Sequence, residues 1–283
     1  MLLRAFGYTY YLDTSPVLGY WYRPPSVSAY PSDLPPLVII HGIGSAISLV
    51  SFVINLANRA KNRHIFILDL KHVSMRLPRP TQFPSPIHTT TQVCNIVDRH
   101  IPPSLQGTTK VVVFGHSLGS TLTVWLLKFA PHRLAGLVLC DPISLLLQYS
   151  DVAYNFIYRP SLAAAEIFFE WIAREPGIAL TLGRNFHWFD NVFPMVHGDK
   201  EGDLEFFPRG LETAVFLSEK DCIVPTLRIH EFLERGRGNV GVYLMPKLDH
   251  GGFLFNEYWS NIILTTLIEL GTEGRGVQNG KLY

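Results

Sequence analysis

Cysteine is scarce: Cys94, Cys140 and Cys222 are the only three in 283 residues. An odd number at wide spacing makes no disulfide framework, and no Cys-x-x-Cys pair offers a zinc site. A reducing compartment is the expectation. Charge is also limited, at 17% of residues, and neither sign dominates, with 24 Lys+Arg against 23 Asp+Glu. So even a balance gives no basic face for nucleic acid and no polybasic anchor for an anionic membrane. Long apolar runs are missing as well. No stretch approaches the roughly 18 residues that a spanning helix needs. The start, Met1 to Tyr11, lacks the apolar core and small-residue cleavage site of a signal peptide. The expected location is therefore cytoplasmic. No His-Glu-x-x-His or other metal-ligand spacing occurs, so neither metal nor cofactor is expected.

What the chain does hold is material for a large core, with 47% hydrophobic residues. Tyr8–Leu12 and Leu18–Arg23 are aromatic runs either side of Asp13-Thr14-Ser15-Pro16, a pattern that predicts an antiparallel hairpin. Arg23–Pro36 holds five prolines and reads as an extended connection. Leu37–Ile40, Ile65–Leu70, Lys110–Phe114 and Leu134–Cys140 are short continuous apolar runs, the signature of strands buried on both faces. Between them lie helical patterns at Ala46–Ala60, Thr89–Ile101 and Ser120–Ala130, with a proline-punctuated loop at Lys71–Pro86. Strand and helix alternating at this pitch predict right-handed crossovers and a mostly parallel sheet.

The alternation breaks after Asp141-Pro142. Residues 143–210 show no clear buried strand and are rich in aromatics, among them Tyr149, Tyr158, Trp171, Trp188 and Phe193. Helical segments are expected at Ser161–Arg174 and Ile143–Tyr158. Strands resume at Thr213–Leu217 and Val240–Leu244, a closing helix spans Leu254–Leu270, and the glycine-containing tail Gly271–Tyr283 has little to bury. The organisation expected is one α/β core, residues 1–142 and 211–283, with 143–210 inserted as a helical lid.

The sharpest motif is Gly115-His116-Ser117-Leu118-Gly119, which follows a buried strand and opens a helix. A G-x-S-x-G turn in that context is so tight that small residues must flank the serine. Ser117 would sit in a strained backbone conformation with its hydroxyl presented. The Leu118 N–H, at the helix start, would point at a developing oxyanion. On these residues the chain resembles the α/β-hydrolase superfamily over roughly residues 34–270. The resemblance implies an α/β-hydrolase fold and a Ser…Asp…His triad in that chain order. His41-Gly42-Ile43-Gly44 corresponds to the loop that gives the second oxyanion donor, Ile43 first and Gly44 second. Asp221, just before Cys222-Ile223-Val224-Pro225, resembles the late acid that orients the imidazole. Its rivals are Asp141, at the end of a strand, and Asp249, beside the histidine. His250, in Leu248-Asp249-His250-Gly251-Gly252-Phe253, stands where the superfamily places its general base. His116 is expected to pack under the turn and His41 to act as a structural donor.

The implied chemistry is attack by Ser117 on a carboxylic ester, with His250 as base and then acid, and no cofactor. The expected substrate is a hydrophobic ester or acyl compound, with the aromatics of 143–210 either lining its pocket or mostly packing the lid onto the core, and with membrane contact through the lid as a further option. A finer resemblance is to a branch found in fungi and other eukaryotes, carried by Asp69–Leu77, Pro176–Ala179 and Trp188–Asn191. Serine at 117 argues against dehalogenase and epoxide hydrolase chemistry, which this fold runs from an aspartate. Lyase or acyltransferase use of the same triad stays open, as does a non-catalytic binding or scaffold role.

Overall fold

The computed structural model describes residues 2–12, 18–26, 34–44, 46–75, 83–159, 164–194, 196–197, 204–205, 207–208, 210–235 and 240–272. A short helix α1 (Leu2–Ala5) leads into the expected hairpin, β1 (Thr9–Leu12) and β2 (Leu18–Arg23), paired antiparallel. Its turn lies outside the described residues. Then follow β3 (Leu37–Ile40), α2 (Val50–Arg59), β4 (Ile65–Leu70), α3 (Pro86–Asp98), β5 (Val111–His116), α4 (Gly119–Phe129) and β6 (Leu134–Cys140). After the intervening segment come β9 (Glu212–Ser218), α8 (Thr226–Arg235), β10 (Val240–Met245) and α9 (Glu257–Glu269). The segment itself supplies α5 (Asp151–Ala153), α6 (Ala164–Ala173), α7 (Pro176–Leu180) and a ladder of two-residue strands, β7 (Val196–His197) and β8 (Leu204–Glu205).

Eight strands form one sheet in the order β1-β2-β4-β3-β5-β6-β9-β10. Pairing is parallel from β4 to β10, and only β1 and β2 run antiparallel. The period of two along each strand splits the core into two layers. Val38, Ile40, Val113, Leu137 and Leu217 face α3 and α4, whereas Leu37, Ile39, Phe114, Val138 and Phe216 face α2 and α9. That two-sided cover is why the strands read as unbroken apolar runs. The order reverses around β3, which lies between β4 and β5. In open α/β sheets the crevice beyond the carboxyl ends of such strands is where ligands bind.

Several boundaries differ from the sequence expectation. The helix expected at Thr89–Ile101 is Pro86–Asp98, with Pro86 in its first turn and an extended Ser85 ahead of it. Proline suits that position because its missing N–H has no intrahelical partner there. Pro102-Pro103 keeps Ile101 out of the helix, since a residue before proline disfavours the α region. The closing helix starts at Glu257, with a 3₁₀ turn at Gly252–Phe255 before it, because Asn256 accepts a capping bond from the Trp259 N–H. Ile143–Tyr158 is helical only from Asp151, and Tyr154–Tyr158 winds as a π-turn. Ser161–Arg174 contracts to Ala164–Ala173, its first residues falling outside the described set. Lys71–Pro86 contains a 3₁₀ turn at Lys71–Val73, and residues 76–82 lie outside the described set, as does the tail from 273. Among the described residues no helix is long and apolar enough to cross a membrane.

Two histidines in this framework are packed as neutral rings. Burial, with His41 nearby, holds the His72 pKa down at about 3. Burial, then His64 and Arg99, hold His100 down at about 4. The His100 ring stacks on Tyr22 with centroids 3.8 Å apart, and its Nε2 lies 3.0 Å from the Tyr20 hydroxyl. The unfolded chain takes up these protons near the ordinary value of 6.5 and the folded chain refuses them until lower pH. Stability is therefore complete above about 6.5 and is lost as pH falls towards 4 and below. Melting curves from about pH 7.5 to 4.5 are expected to show a falling Tm, less steep in His72→Gln. Equal slopes for the two proteins would refute the assignment to His72.

Candidate active site

Ser117 follows β5 with φ +52°, in the left-handed region that non-glycine residues rarely enter. The strain is held from several sides. The Ser117 N–H donates to the Cys140 carbonyl at 3.0 Å, and its own carbonyl accepts from the Ser120 N–H at 3.0 Å and Oγ at 2.7 Å. Flanking residues must be small because the backbone closes on them. A Cβ at position 119 would lie 2.4 Å from the Ile40 carbonyl oxygen, and one at position 42 would lie 2.9 Å from Ser117 Cβ. The turn bearing the serine is thus pressed against the loop after β3.

The other two predicted residues arrive from the far side of the sheet. Asp221 lies in the turn after β9, where its Oδ1 accepts from the Ile223 and Val224 N–H groups, both at 2.8 Å. That is the physical use of the short apolar segment after the acid: its amides aim the carboxylate. Asp221 Oδ2 is 2.7 Å from His250 Nδ1, and His250 Nε2 is 2.8 Å from Ser117 Oγ. With the proton assigned to Nδ1 by the carboxylate, Nε2 is left to accept from the serine hydroxyl. Burial pulls the His250 pKa down, but the Asp221 charge, its hydrogen bond and the Asp141 charge outweigh it and raise the pKa above its ordinary 6.5. Phe253 ties the base loop to the core: its ring meets Phe52 edge-on at 5.9 Å and His116 at 5.3 Å.

Of the two amides expected to face an oxyanion, those of Ile43 and Leu118, neither donates to a protein acceptor among the described residues. The N–H of the reserve candidate Gly44 donates to the Val73 carbonyl at 2.9 Å, which favours Ile43 as the donor of this loop. His41, expected as a donor in this loop, does both: Nδ1 donates to the Gly42 carbonyl at 2.5 Å, which leaves Nε2 to accept from the Leu70 N–H at 3.0 Å. It braces the loop and does not reach the serine. His116 is buried beneath the turn with neither ring nitrogen hydrogen-bonded, and burial followed by the His250 and His41 charges holds it neutral. Asp249 is exposed. Asp141 is fully buried close to the base, and sequence reading left it only as a rival acid. Among the described residues, the one group of His and carboxylates compact enough for a metal is Asp141, Asp221 and His250. Internal hydrogen bonds already engage its carboxylates and imidazole, which accounts for their convergence.

A pocket enclosing about 570 Å³, part of it open to solvent, adjoins the Ser117 hydroxyl. Its walls are chiefly aliphatic, with Ile43 and Ile223 from the core side and Ile143, Val152, Ile172 and Leu182 from the 143–210 segment. Among the described residues, Phe156 and Trp188 are the aromatics of the segment that reach it, so of the two expected uses of these rings pocket lining holds for few of them. Phe193 packs on Phe207 at 5.1 Å, whereas Tyr149, Tyr154, Tyr158, Trp171 and Phe189 are exposed. The side chains of Phe168 and Phe169 lie outside the described set. Asn155 donates to the Ile223 carbonyl at 3.0 Å and Lys128 to the Asp190 carbonyl at 2.8 Å, fastening the segment across the serine.

No curated protein sequence matches the chain. Among solved structures, a thermophilic esterase from Thermogutta terrifontis superposes with a TM-score of 0.59 at 14% identity, covering 94% of this chain and 99% of that one. Naproxen esterase from Bacillus subtilis gives 0.57 at 16%, covering 92% and 90%. A bacterial membrane phospholipase A gives 0.58 at 14%, covering 95% and 91%. At such identities the likeness is one of fold. The model of the "Alpha/beta hydrolase family" matches residues 37–260, most of the chain and all of the elements that carry Ser117, Asp221 and His250. The chain belongs to the alpha/beta hydrolase family.

Proposed function

We propose that this hydrolase is a serine esterase that cleaves carboxylic esters with a hydrophobic acyl group, through an acyl-enzyme on Ser117. The observation that carries the reading is the unbroken chain Asp221–His250–Ser117, at 2.7 and 2.8 Å, ending at the mouth of an apolar pocket. Serine is a weak nucleophile at its free pKa, so His250 Nε2 takes the hydroxyl proton as Oγ bonds to the carbonyl carbon. The charge moves to the carbonyl oxygen, where the Ile43 and Leu118 amides receive it. Each such donor is worth about 3 kcal/mol of barrier in known cases. His250 then protonates the departing alkoxide, and in the second half it deprotonates a water that releases the acid from Ser117. Asp221 orients the ring and steadies the imidazolium.

The pocket walls support a hydrophobic acyl group. Aliphatic side chains dominate them and, among the described residues, no Lys, Arg, Asp or Glu lines them, so an uncharged hydrocarbon chain suits them better than a polar acyl group. The 143–210 segment acts in this reading as a cap that closes the pocket and excludes water. Its outer face leaves Tyr158, Trp171 and Phe189 exposed by 71%, 64% and 75%. An exposed aromatic surface of this kind suits a poorly soluble substrate. A series of p-nitrophenyl esters tests the reading. kcat/KM is expected to rise from acetate to the medium-chain esters and to fall in Leu182→Trp, which fills the pocket. Highest activity on acetate, declining with length, would sink the hydrophobic acyl assignment.

A further inference from the structure

Asp141 occupies a position that the reaction above does not use. It follows the last residue of β6, has φ +45° and is fully buried. Its N–H donates to the Phe216 carbonyl at 2.9 Å, which pins it to β9. Its carboxylate accepts three hydrogen bonds. Oδ1 takes the Ser218 N–H at 2.7 Å, and Oδ2 takes the Ser218 hydroxyl at 2.9 Å and the Gly251 N–H at 2.8 Å. Ser218 ends β9, the strand that runs into the Asp221 turn, and Gly251 directly follows His250. One carboxylate therefore touches both the element that delivers the acid and the loop that delivers the base.

A plain strand-end staple would not need a charge here. One oxygen each of Asp141 and Asp221 and one ring nitrogen of His250 all lie within 4.8 Å of one another. Two carboxylates so close, in a buried place, repel each other, and burial followed by the Asp221 charge pushes the Asp141 pKa above the usual carboxylate range. What offsets that cost is a positive charge between them. His250 carries that charge each time it takes the serine proton.

We propose that Asp141 is a positioning residue of the active site, tying the His250 loop to the strand that delivers Asp221 and adding a second negative charge beside the imidazolium. The inference rests on the serine-hydrolase reading. The titratable groups around Asp141 are Asp221 and His250, with Cys140 beside it in the chain and His116 across the His250 ring, 5.6 Å between centroids. Burial keeps the Cys140 thiol and the His116 ring uncharged at neutral pH, so neither supplies a competing charge.

Asp141→Asn separates the contributions. The amide keeps the shape, but its NH₂ must face either the Ser218 N–H or the Gly251 N–H, donor against donor, and the charge is gone. Ser218→Ala keeps the charge and loosens the tie. Wild type and both variants would be assayed for fluorophosphonate labelling at Ser117, for kcat and KM on one p-nitrophenyl ester, and for kcat/KM against pH. Asp141→Asn is expected to lower kcat by about tenfold to a hundredfold with KM little changed. The acid limb of its pH profile should move to lower pH, because His250 loses a neighbouring negative charge. Ser218→Ala should lose less kcat and keep the wild-type midpoint. A folded Asp141→Asn with wild-type kcat and an unmoved midpoint overturns the proposal. If Asp141→Asn does not fold, wild-type kcat in Ser218→Ala overturns it. Failure of wild-type Ser117 to label removes the underlying serine-hydrolase reading, which is a different result from equal rates in a labelled set.

Discussion

Ser117→Ala is expected to abolish covalent labelling by a fluorophosphonate and to lower kcat for ester hydrolysis by on the order of a millionfold. The substitution removes the Oγ that lies 2.8 Å from His250 Nε2 and leaves the Cβ, the left-handed backbone and the bonds from Ser120 in place. Stability should therefore change little, and the loss is one of chemistry. His250→Ala is expected to cost a similar factor, and the double variant scarcely more than either alone. Groups that act in one proton transfer lose their joint effect when any one is removed. Intact mass after labelling locates the adduct. Labelling of Ser117→Ala at the wild-type rate, or additive losses in the double variant, would mean that the nucleophile lies elsewhere.

The second large effect is expected at Gly119→Ala. Here the added Cβ would meet three backbone atoms: the Ile40 oxygen at 2.4 Å, the Ile40 carbon at 2.9 Å and the His41 oxygen at 3.0 Å. Backbone at the end of a central strand cannot rotate aside as a side chain can. Either α4 withdraws from β3 or the His41–Gly44 loop is displaced, and both options move a proposed oxyanion donor relative to Ser117. Overpacking of this kind costs about 1–3 kcal/mol or more. A displacement near 1 Å costs roughly a hundredfold in rate. Urea unfolding and kcat/KM together measure the two costs. Gly183→Ala, where a Cβ would meet nothing within 4 Å, serves as the comparison and should be close to neutral in both. Equal stability and rate in the two glycine variants would show that the close approach of α4 to β3 is not required.

The site was legible in the sequence where its requirements are local. Ser117 is marked by the strand, the two glycines and the helix around it, all within a dozen residues. Asp221 is marked by the apolar segment whose amides hold its carboxylate, and His250 by the two glycines after it, the first of which takes a φ of +72° in the structure. The sheet was legible because strands covered on both faces leave no polar alternation to blur them. What the sequence did not reveal depends on distant packing. Asp141 reads as a strand-ending Asp-Pro, and its bonds to Ser218 and Gly251 span 77 and 110 residues. Which aromatics of 143–210 turn inward depends on how that segment lies over β5 and α4, so Phe156 and Trp188 could not be told from Tyr158 and Phe189. The helix at Pro86 and the Asn256 cap had local signals, a proline in the first turn and an asparagine before the helix, that apolar periodicity alone overlooks.

The span of the proton path has a consequence for following the molecule as it forms. Ser117 and His250 stand 133 residues apart in the chain, and His250 and Asp221 stand 29 apart. No fragment ending before β10 contains the base, and no local hairpin or helix brings the three groups together. On the proposed mechanism, reactivity of Ser117 towards a fluorophosphonate is therefore expected only once the central parallel strands and the last loop have closed on one another. Contacts of such sequence separation form late and slowly relative to local helices. In a refolding experiment, the return of labelling should lag behind the return of far-ultraviolet circular dichroism, making the serine itself a clock for the completion of the sheet.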